Sequence, residues 1–133
     1  MAVVSHNEGA SWGSAMRLNS TTSGEQFMPG VTGDSRGVHF QWYSADSSNT
    51  FITTVGRDFS GGALGPEFNV SASFRATQTN VSGVNQDSVV SCCYMGDYNQ
   101  PYSDGSHTYY GWGDNRQVFP DGHLDPNAYF NRQ

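Results

Sequence analysis

Two overlays of the chain on itself constrain its fold more than any other feature. At a constant offset of 52 residues, Gly9 falls on Gly61, Trp12 on Leu64, Gly13 on Gly65, Met16 on Phe68 and Leu18 on Val70. At an offset of 70, Met28 falls on Tyr98, Asp34 on Asp104, Val38 on Thr108, Phe40 on Tyr110 and Trp42 on Trp112. Self-similarity at a period of about 50 residues marks a repeat architecture, in which one small unit cannot bury its apolar face alone and stacks on the next. The unit reads as strand, Asp-bearing turn, strand ending in Trp, strand, corner, strand. The larger second offset reflects extra residues at Ser73 to Met95, a polar loop that includes the apolar run Ser88 to Tyr94.

The segments within each unit carry strand signals. Ala15 to Asn19 alternates apolar and polar residues, and Phe27 to Thr32, Val38 to Ser44 and the β-branched Phe51 to Val55 follow, with the turn Gly33 to Gly37 between the first two. Glu67 to Ser71 comes after a Gly-rich corner, and Pro126 to Arg132 is another third strand. Aromatics at 14%, charged residues at only 14% and 16 glycines fit an all-β chain with many turns. A length of 133 residues suits one domain. Residues 1–20 read as the end of a unit, 21–72 as a complete unit, and 88–133 as a unit lacking its last strand. Four short antiparallel strands per repeat is the pattern of a propeller blade, and propellers close with 4–8 blades. This chain holds about two, so the expected fold is a partial β-propeller of four-stranded antiparallel blades.

Charge narrows the partners. All six basic residues are Arg, and the net charge of −6 is spread along the chain, which argues against nucleic acid and anionic membrane surfaces. No apolar run approaches the ~20 residues of a membrane span, and no signal peptide opens the sequence, so a signal for export would lie outside this chain. Cys92 and Cys93 are adjacent, and neighbours on a strand point to opposite faces, so they are expected as free thiols, either small buried hydrophobes or a redox or metal site. His6, His39, His107 and His123 show no metal-ligand spacing.

The most specific local signal is Ser5 to Trp12, SHNEGASW, of the form Ser-x-Asp/Asn-x-Gly-x-Ser/Thr-Trp. Asn7 can fold its side chain onto nearby backbone N–H groups, Gly9 can take a positive φ, Ser5 and Ser11 can lock the loop, and Trp12 is expected to plug a core. The second corner, Arg57 to Leu64, keeps a glycine and an apolar plug but has Phe59 in place of Asn7 and Ala63 in place of Ser11. A third corner would begin at Gln133.

SHNEGASW resembles the Asp box of the sialidase superfamily, the bacterial neuraminidase repeat propellers, with Asn7 for the usual Asp. The C-terminal third, with GDY at Gly96 to Tyr98, WGDNR at Trp112 to Arg116 and DPNAYFNR at Asp125 to Arg132, looks like the closing segment of sialidase-like glycoside hydrolases. The resemblance covers nearly the whole chain but a minority of a six-bladed propeller, and implies the C-terminal portion of a longer ancestor or parent. It makes the box Ser5, Asn7, Gly9, Ser11 and Trp12 structural, on the loop between third and fourth strands. Function is then expected at the opposite ends of the strands, around Asp97, Tyr98, Asp114 and Arg116.

A sialidase-like site needs three Arg to clamp a carboxylate, a Tyr activated by a Glu as nucleophile, and an Asp as acid/base. By the same topology Arg36, Arg57 and Arg132 lie near the other face and Arg17 within an outer strand, which leaves Arg75 and Arg116. Two cannot make a triad. Tyr98 is either a nucleophile with Glu25 as its base or a packed, hydrogen-bonded Tyr. Asp97 and Asp114 are either an acid/base pair or turn caps, paired with Arg116. Arg75, Trp42 and Tyr102 are the expected substrate contacts. Asp114, Asn115, Asp121, Asp125 and Asn127 offer oxygen donors suited to Ca²⁺ without EF-hand spacing, so the expectation is no cofactor, with calcium as the alternative. The resemblance implies a carbohydrate or glycoconjugate ligand and an extracellular or cell-surface setting. Three functions stand: a glycoside hydrolase-type scaffold inactive on its own, a glycan-binding module, and a structural module. Exposed sheet edges and blade faces imply a homo-oligomer or further blades.

Overall fold

The computed structural model describes residues 1–75, 99–118, 120 and 124–133. All of its regular structure is β and antiparallel, with no helix among the described residues. The first sheet is a meander of β1 (Gln26–Asp34), β2 (Gly37–Ala45), β3 (Phe51–Ser60) and β4 (Ala63–Asn69) in that spatial order, with β5 (Phe74–Arg75) also pairing with β3. The second sheet is β6 (Tyr102–Ser103), β7 (Thr108–Val118) and β8 (Leu124–Arg132). Before them runs a small hairpin held by the bridge Ala2 to Met16 and by Gly13 N–H donating to Val4 O at 2.9 Å.

The three pieces stack in chain order. In β2 the residues Phe40 and Trp42 point to one side, and Gln41, Tyr43 and Ala45 to the other, as the two-residue period of a strand requires. The first side packs on the N-terminal hairpin in a cluster of Leu18, Trp42 and Val55, with Ala2, Phe40 and Leu64 around it. The second packs on the second sheet in a larger cluster that includes Tyr43, Ile52, Val70, Phe74, Tyr110 and Trp112. The first sheet is therefore a middle layer. This explains why β2 is buried or half-buried at every position instead of alternating between buried and exposed.

The contacts repeat from one layer boundary to the next. Trp42 pairs with Val55 in the first sheet and Trp112 with Tyr129 in the second, so Arg57 and Asn131, each two residues further on, occupy equivalent places. Arg57 Nη1 donates to the carbonyl of Leu18 at 2.6 Å, and Asn131 Nδ2 donates to the carbonyl of Val70 at 3.0 Å. Leu18 and Val70 are the pair matched by the 52-residue offset. The same third-strand position thus caps the same carbonyl of the preceding unit at both boundaries.

Two expectations are corrected. The third and fourth strands, expected at Phe51 to Val55 and Glu67 to Ser71, run on into the corner at Arg57 to Leu64: Arg57 to Ser60 continue β3, Leu64 lies in β4, and the connection is a two-residue hairpin at Gly61 and Gly62 with φ of 57° and 83°. Positive φ at both central positions is the type I′ requirement, which a glycine pair meets without strain. Trp12 plugs no core: it is 63% exposed, its ring lying against its own loop near Gly9. The loop itself closes on Asn7, whose Oδ1 accepts from Ser11 N–H at 2.9 Å while its Nδ2 donates to Ser11 Oγ at 2.9 Å. Ser5 Oγ accepts from Gly9 N–H at 2.8 Å, and Gly9 has φ 89°.

Candidate functional site

The strands have two ends, and the candidate residues divide between them. At one end lie the β2–β3 turn, Arg75 and the far part of β7. Asp46 organises the turn, its Oδ1 accepting from Thr50 N–H at 2.8 Å and Phe51 N–H at 3.1 Å, its Oδ2 from Ser48 Oγ at 2.8 Å. These donors, the Ser48 hydroxyl first, hold its carboxyl below the usual range. Arg75 stands over the Phe51 ring at 5.8 Å and is exposed.

Asp114 is 1% exposed and fully engaged. Its Oδ2 accepts from Trp112 Nε1 at 2.8 Å and from Arg116 Nε at 2.8 Å, and its Oδ1 accepts from Arg116 N–H at 3.0 Å. Arg116 Nη2 completes the ion pair with Oδ2. The guanidinium lies over Tyr129, 4.4 Å from the ring centre, and its pKa is raised by the Asp114 bond. Trp112 and Tyr129 stack beneath at 6.1 Å. The result is a sealed carboxylate under an arginine lid. An acid/base residue needs an oxygen within reach of substrate, and here both oxygens face donors of the chain itself.

Of the remaining candidates, Trp42 and Tyr102 are not gathered around it. Asp97 and Tyr98 lie outside the described residues, as do Cys92, Cys93, Asp121 and His123. Trp42, expected as a stacking surface, is 5% exposed with its Nε1 donating to Gln26 Oε1 at 2.9 Å, because the N-terminal hairpin covers its face. Tyr102 is 64% exposed, but it pairs with Tyr109 at the start of β7, five residues before Asp114. At about 3.4 Å per residue that places it roughly 17 Å along the strand from Asp114, at the other end. Arg36 and Arg132 are at that other end too, Arg132 pairing with Tyr109. Among the described residues no group of three or more His, Cys, Asp or Glu converges as a metal site.

That other end holds a cluster the sequence reading passed over. The Asp34 side chain is 7% exposed, accepts from Arg36 Nε at 3.0 Å and from Arg36 N–H at 2.7 Å, and takes a hydrogen bond from Ser103 Oγ. Arg36 crosses to the second sheet, donating to Ser106 O at 2.9 Å and Thr108 Oγ1 at 3.0 Å. His39 Nδ1 donates to Asp58 Oδ1 at 2.8 Å, and its Nε2 sits 3.4 Å from Asp34 Oδ1. The Arg36 guanidinium, then Ser103, drives the Asp34 carboxyl far below the usual range. Nearby, the backbone N–H of His107, followed by that of Ser106 and the Tyr109 hydroxyl, lowers Asp104 to about 2. Asp34 and Asp104 are the aspartates matched at offset 70. That recurrence of an acid in two equivalent turns was the available signal.

Between the two ends, Tyr43 and Gln41 reach across from the first sheet. The Tyr43 hydroxyl donates to Gly113 O at 2.6 Å and accepts from Gly113 N–H at 3.0 Å, and Gln41 Nε2 donates to Gly111 O at 2.6 Å. Comparison with protein-family models, with curated proteins and with solved structures finds no match to this chain.

Proposed function

We propose that this chain is a non-catalytic propeller module of the sialidase type, one complete blade between two incomplete ones, whose role is to build and carry a larger glycan-directed assembly. The observation that carries the reading is the repeated boundary contact, Arg57 on the Leu18 carbonyl and Asn131 on the Val70 carbonyl. A recurring cap of this kind belongs to a structure built by adding like units. The SHNEGASW loop, and the resemblance it carries, supports the same reading. Carbohydrate as ligand class and an extracellular or cell-surface setting come with that resemblance.

The hydrolase is the second reading. Arg75 and the Asp114–Arg116 pair lie toward the same strand ends, which favours it, but Asp114 is engaged on both oxygens and only two Arg are available for a carboxylate clamp. An assay of the purified chain on a sialoside and a panel of aryl glycosides separates the two. No turnover is expected. Hydrolysis that disappears in Asp114→Asn or Tyr98→Phe would replace the module with an enzyme.

A further inference from the structure

We draw no further inference here: the strongest candidate, the buried side-chain cluster of Asp34, Arg36, His39, Asp58 and Ser103 at the Tyr102 end of the strands, belongs to the tie between the two sheets already described, its carboxylates engaged by Arg36, Ser103 and His39 and the remaining ring nitrogen of His39 buried beside Asp34.

Discussion

Tyr43 stands in for a strand. β6 pairs with β7 only through Tyr102 and Ser103, and further along that edge the N–H and C=O of Gly113 both find their partner in the Tyr43 hydroxyl. Burial raises the pKa of that phenol, first through desolvation, so it remains a donor across the ordinary pH range. Tyr43→Phe keeps the ring contacts with Phe27 and Phe74 but strands two backbone groups, and is expected to cost about 1–3 kcal/mol in urea denaturation. A loss within error would mean that Gly113 finds other partners. Asp34 supplies the pH dependence. Its carboxyl and that of Asp104 are depressed in the folded chain, so their stabilisation is complete above the ordinary value of 3.8 and is lost as pH falls, through about 2 for Asp104 and lower for Asp34. Urea midpoints measured from pH 5 downward should fall less steeply in Asp34→Asn than in wild type, and parallel curves would contradict the assignment. The sequence made Asn7 and Gly9 legible because each acts within its own loop. It could not make Trp12 legible, since burial of a plug depends on what lies beyond the loop, and here the ring is left in solvent.

At the scale of elements, two strand glycines differ in what surrounds them. Gly56 in β3 is opposite Phe68, whose ring would meet an added Cβ at 2.6 Å, while at Gly111 in β7 an added Cβ meets nothing closer than 4.0 Å among the described residues. Gly56→Val is expected to destabilise by about 1–3 kcal/mol through overpacking. Gly111→Val should be neutral or stabilising, by up to about 1 kcal/mol of strand preference. Equal losses in thermal or urea unfolding would remove the distinction. The strands and the Asp34 to Gly37 turn were readable from alternation and turn residues. The second corner was not, because the overlay matched Gly9 to Gly61 by position, whereas the pair Gly61-Gly62 encodes a tight hairpin that needs no side-chain hydrogen bonds and lets Arg57 to Ser60 remain strand. The separation of Tyr102, an expected substrate contact, from Asp114, an expected catalytic residue, was not legible in the sequence. β7 holds them at opposite ends.

Across the whole molecule, three successive layers meet through one recurring contact. The side chains that make it differ, Arg57 at one boundary and Asn131 at the other, so residue identity alone would not have shown it. Position in the repeat did. Among the described candidates, Asp114 and Arg116 are brought together, whereas Trp42 and Tyr102 lie on a different layer or at a different strand end and face different surroundings. The most direct measurement is the set of nuclear Overhauser contacts from Trp42 and Tyr110 in the isotopically labelled chain. The repeated packing predicts contacts from the Trp42 indole to the Leu18 methyls at the first boundary and from the Tyr110 ring to Phe68 at the second, with slow solvent exchange at Trp42 Nε1. A Trp42 indole that exchanges freely and lacks the Leu18 contact would contradict it, leaving a single pair of sheets with a loose N-terminal arm.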